Sequence, residues 1–99
     1  MALLVDCHSF PSTDTNDAWL GRDGGPDIVL GDDHGKSCAP ELTDEAQRRF
    51  DALGYRVARN SPYAGGNNIC RYGLRGRGHQ ALQIEIRRSI YMDERTLVP

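Results

Sequence analysis

The sequence predicts an α/β domain with a mainly parallel or mixed sheet. Three observations carry that expectation: strand-like segments at 2–5, 28–30, 55–58 and 81–86, the first two continuously apolar, one segment of helical period between the second and third, and polar groups where the strands end. With 99 residues there is room for one small core and a single domain spanning 1–99. Charged residues make up 26% and the net charge is −2, a balance that predicts neither disorder nor a general attraction to nucleic acid.

The first run, Ala2 to Val5, is continuously apolar, the pattern of a central strand covered on both faces. Residues 11–26 collect Pro, Ser, Thr, Asp, Asn and Gly around Trp19 and Leu20, which predicts a surface loop or lid. Ile28, Val29 and Leu30 form a second buried strand stopped by Gly31, and Asp32, Asp33 and His34 then read as a surface turn rather than a metal cluster. Thr43 is placed to cap a helix with Asp44 and Glu45 in its first turn; Ala46, Phe50 and Leu53 make its apolar stripe and Gly54 ends it.

Tyr55 to Ala58 give a third strand. The stretch RNSPYAGGNNICRYGLRGRGH is too rich in breakers for regular structure, and Ala81 to Ile86 give the fourth strand. A short tail around Ile90 to Leu97 closes the chain.

No apolar run reaches the roughly 18 residues that cross a bilayer, and the opening MALLV is short and uncharged for a signal peptide, so a cytoplasmic chain with no membrane partner is the expectation. Cys7, Cys38 and Cys70 are odd in number and lack a CxxC pair, which points to reduced thiols. CRYGLRGRGH is basic and holds Tyr72, yet other aromatics are missing from it and the net charge is negative, so nucleic acid is not the expected partner.

Reactive groups sit at two strand ends. In VDCHSFPS, Asp6 and His8 alternate with Cys7, so an extended chain points both to one side, where a carboxylate can orient an imidazole able to ligate a metal. In QIEIRR, Gln83, Glu85 and Arg87 share one face and Ile84 and Ile86 the other. A carboxylate there is either a general base or the ion-pair partner of Arg87 or Arg56, and His8 is either a ligand or a hydrogen-bonded structural residue.

Taken in order, DCHSFPS, DIVLGDDHGKSC, LTDEAQRRFDALGYRVARNSPYAGG, YG and HQALQIEIRRSIYMDE resemble the carboxy-terminal part of the N-formylglutamate amidohydrolase family over nearly the whole chain. The resemblance implies a partial three-layer domain of the zinc-exopeptidase/phosphorylase-hydrolase-like type, related to zinc carboxypeptidases and aspartoacylase. It implies zinc-dependent hydrolysis of an N-acyl amino acid, N-formyl-L-glutamate foremost, to formate and L-glutamate. On that pattern His8 is a metal ligand, Asp6 the carboxylate that orients it and Glu85 the base. Tyr63 lines the substrate pocket, and Arg75, Arg77 and Arg88 are candidates to clamp a dicarboxylate.

The family's other metal ligands are expected ahead of Met1. Zinc binding by this chain alone would then be poor, and its first strand would present an open edge able to pair with a second copy. The alternative function is a non-catalytic module that binds an acidic small molecule or a protein partner.

Overall fold

The computed structural model describes residues 2–12, 25–61, 63–74 and 77–99. The strands are β1 (Ala2–Phe10), β2 (Ile28–Gly31), β3 (Val57–Arg59) and β4 (His79–Arg87); the helices are α1 (Pro40–Ala52) and the short α2 (Asn67–Tyr72). They form a mixed four-stranded sheet in the order β1-β4-β2-β3. β1 runs parallel to β4 and β2 parallel to β3, while β2 and β4 are antiparallel. The strand that comes last in the chain thus lies inside the sheet, flanked on both sides.

Each face of the sheet follows from the period-2 alternation of its strands. On one face Ile28, Leu30 and Leu82 form a buried cluster with Cys38, against which Leu42, Ala46 and Phe50 of α1 pack together with Ile84 and Ile86. On the other, Phe10, Val29 and Ala58 are buried under Tyr63. The register pairs Val29 with Glu85 and His8 with Glu85, so this second face also carries the strand-end chemistry.

Several local expectations are corrected. β1 is an edge strand among the described residues, not a central one. Leu3 and Val5 are each 45% exposed because α1 lies over β2 and β3 and leaves this end of its face open, and Leu4, on the face of Gln83 and Glu85, is 40% exposed. The helix begins three residues before Thr43: Ala39 is its N-cap, and Pro40 occupies the first turn, where its fixed φ suits the helix and its missing N–H has no partner to lose. Leu53 falls just past the helix end and is 71% exposed, so the stripe facing the sheet is Leu42, Ala46 and Phe50. The breaker-rich segment does contain regular structure, since α2 forms there and seats Ile69 in the interior. The third strand is Val57–Arg59, shifted from the expected 55–58. Trp19 and Leu20, the expected anchors of the loop, lie outside the described residues.

Asp32 is not a surface group. It is 1% exposed, and its carboxylate accepts bonds from Asn60 Nδ2 at 2.8 Å, Gly35 N at 2.9 Å and Thr43 Oγ1 at 2.9 Å. Burial pushes its pKa up, but the hydrogen bonds from Asn60, Thr43 and Gly35, with Arg59 nearby, outweigh that and hold the carboxyl below its ordinary value. The next residues turn sharply, Asp33 and His34 at φ 50° and 55°, and Asp33 N donates to Ala64 O at 2.7 Å. That bond draws the 63–66 loop onto the end of β2. Gly31 makes the approach possible, since a Cβ there would lie 2.8 Å from Ala64 C and O.

Candidate active site

Parallel pairing sets His8 of β1 directly beside Glu85 of β4, and Asp6 beside Gln83. Three of these side chains, all but Asp6, open onto one cleft of about 340 Å³. His8, Gln83 and Glu85 form its sheet wall, and Tyr63, Ala64, Gly65 and Gly66 supply the facing loop. The imidazole and the carboxylate, far apart in the chain, therefore share a cavity.

Along the sheet wall, His8 and Glu85 differ in exposure and in partners. His8 Nε2 lies 3.1 Å from Asp6 Oδ2, with side chains 46% and 20% exposed, and Asn68 Nδ2 donates to the same Asp6 oxygen at 3.4 Å. A carboxylate this close to one ring nitrogen can orient the imidazole and leave the other nitrogen for ligation. Glu85 is 7% exposed and accepts a bond at 2.9 Å from Gln83 Nε2, whose own Oε1 accepts from Gly66 N at 2.9 Å. Tyr63 is held by its ring contact with Phe10, centroids 5.5 Å apart.

The arginines are placed less centrally. Arg88 donates from Nε to Ser9 Oγ at 3.2 Å and lines a separate hollow with Pro11, Met92 and Glu94. Arg77 is exposed in the turn before β4, its backbone N bonded to Leu74 O at 2.9 Å. Arg75 lies outside the described residues. Arg87 and Arg56, the ion-pair candidates for Glu85, both reach Asp27.

Sequence reasoning missed Gln83 as part of this site, whereas the Gly65–Gly66 backbone was expected beside the pocket and lines it. The alternation of QIEIRR put Gln83 on the right face, but a glutamine there carries no signal of what its amide will hold.

Among the described residues no three of His, Cys, Asp and Glu gather as a metal-ligand group. The cleft offers one imidazole backed by a carboxylate, whereas a catalytic zinc is held by three protein ligands with an open position. These residues fit one corner of such a site and do not complete it.

The N-formylglutamate amidohydrolase family model matches residues 1–92. The chain belongs to this family. It is 35% identical over 96 residues to a curated N-formylglutamate deformylase from Pseudomonas putida, a match covering 94% of this chain and 34% of the relative. It is also similar to the crystal structure of an N-formylglutamate amidohydrolase from Ralstonia eutropha JMP134, with 39% identity and a TM-score of 0.80 over 98% of this chain and 35% of that one. The chain thus spans about a third of the length of these amidohydrolases. Among the described residues no helix is long and apolar enough to cross a membrane.

Proposed function

We propose that this chain carries the base-bearing portion of an amidohydrolase that cleaves N-formyl-L-glutamate to formate and L-glutamate. The observation that supports it most is the register of β1 on β4, which sets His8 beside Glu85 in one cleft of a chain belonging to this family. In this reading Glu85 takes a proton from the attacking water as the C–O bond forms, then delivers it to the departing amine as the C–N bond breaks. A carboxylate suits the task because it can accept a proton and return it, and its hydrogen bond from Gln83 keeps one oxygen oriented. Tyr63 and the 64–66 backbone close the side of the cleft opposite the base.

His8, backed by Asp6, would be one ligand of a zinc ion whose other donors are not among the described cleft residues. Zinc supplies Lewis acidity toward a carbonyl oxygen. The four strands are then a section of a wider sheet of the zinc-exopeptidase type, and the open edge of β1 is where further polypeptide, including a second copy, can pair.

The test uses this chain co-expressed with the part of the Pseudomonas putida deformylase outside the matched region. Formate release is expected, with about one zinc per assembly, and Glu85→Gln should lower turnover by about 10²- to 10⁴-fold. Turnover unchanged by that substitution removes Glu85 as the base. The binding-module reading is favoured by the incomplete ligand set; it predicts instead that calorimetry finds acidic amino acids bound equally well with and without a chelator.

A further inference from the structure

Beside the proposed base, Gln83 is 3% exposed and its side-chain amide bridges two parts of the cleft. Oε1 accepts from the Gly66 backbone N–H at 2.9 Å, and Nε2 donates to Glu85 Oε2 at 2.9 Å. The sense of both bonds follows from chemistry. A backbone N–H can only donate, so the amide oxygen must face Gly66, which turns the NH2 group toward Glu85 and makes the carboxylate oxygen the acceptor. An amide offers an acceptor and a donor on one rigid plane. An ionised glutamate would offer only acceptors, and an apolar side chain neither.

The loop at the other end of this bridge is itself tied down. Ala64 O accepts from Asp33 N at 2.7 Å, and Gly65 lies so close to α2 that a Cβ there would come within 2.9 Å of Ile69 Cγ2. His8 from β1 and Tyr63 from the loop share the cleft with Glu85, and Val29 of β2 pairs with it across the sheet.

Resting on the reading of Glu85 as the base, we infer that Gln83 is a positioning residue: its amide holds the Glu85 carboxylate in one orientation and couples it to the loop forming the opposite wall of the cleft. Loop and base then move together, so a ligand that shifts the backbone at Gly66 also re-aims the carboxylate.

The coupling is measurable by NMR on the full chain, without turnover. Gln83→Met keeps the length and removes both bonds. It should speed amide exchange at Gly66 on the order of tenfold and raise the mobility of the Glu85 side chain in Cγ relaxation. Gln83→Glu, studied at a pH where both carboxyls are ionised, keeps the acceptor and loses the donor, so Gly66 should stay protected while Glu85 is loosened. A merely structural glutamine would leave Glu85 equally ordered in both variants, and that result overturns the inference. If the methionine variant does not fold, the near-isosteric glutamate variant decides by the same Glu85 readout.

In the co-expressed assembly, Gln83→Met should lower kcat by about 10- to 100-fold with KM nearly unchanged; a rise in KM alone counts against positioning. Retained turnover in Glu85→Gln would end the base assignment and leave the relaxation result standing, so the two failures can be told apart.

Discussion

β1 and β4 are both nine residues long, parallel and paired along their whole length, yet they live in different environments. β4 has β1 on one side and β2 on the other, and Ala81, Leu82, Gln83 and Glu85 are buried. β1 has β4 alone among the described strands, and Leu3, Leu4, Val5 and His8 remain exposed. Burial, and the chemistry that depends on it, is set by the number of neighbours a strand has rather than by its own apolar content. The carboxylate on β4 is accordingly gripped by a buried amide, while the imidazole on β1 faces outward with one carboxylate behind it.

The largest test of that contrast is truncation at matching depth in the two strands. Leu82→Ala, in the α1-covered cluster, should cost about 2–5 kcal/mol by denaturant unfolding; Leu4→Ala should stay within about 0.5 kcal/mol. Similar values for the two would mean that β1 is covered after all.

Between these extremes lies the polar joint that sets the loop against β2. Removing the Thr43 hydroxyl with Thr43→Val takes a hydrogen bond from a buried carboxylate and should cost about 1.5–3 kcal/mol. The same joint has a pH signature. The Asp32 carboxyl is held below its ordinary value in the fold, so the unfolded chain binds its proton more readily. Its contribution is therefore complete above the unfolded value of ~3.9 and is lost as pH falls through the lower folded value. Asp32→Asn should flatten that acid limb of stability against pH; an unchanged limb would place the titration elsewhere.

The smallest effect on stability is expected at the edge. Leu4→Lys should leave unfolding nearly unaltered while suppressing any self-association of the chain seen by sedimentation, because a lysine on an exposed edge opposes strand pairing. Persistent association would locate that contact away from β1.

Much of the fold was readable from local pattern. The runs at 28–30 and 81–86, the helix before Gly54, and the sharing of one face by Asp6 with His8 and by Gln83 with Glu85 all follow from side-chain period. Other features depended on distant partners. Asp32 looked like a turn residue because aspartate favours turns; Asn60, Thr43 and Gly35 make it a buried hub. α2 forms despite its glycine neighbours because Ile69 gains a buried seat, and tertiary packing overrides weak local propensity. The arginines were weighed by charge alone, and charge does not say which way a loop will turn.

By itself the amino-acid sequence determined which side chains can face together, because alternation along a strand is a property of the backbone. It also carried the motifs that place the chain in its family. Tertiary structure alone decided that β4 lies between β1 and β2, that His8 stands beside Glu85, and that Gln83 reaches Gly66. Those are pairings between segments remote in the chain, and they are settled by which hydrogen-bonding edges and apolar faces find one another, a choice that no local stretch encodes.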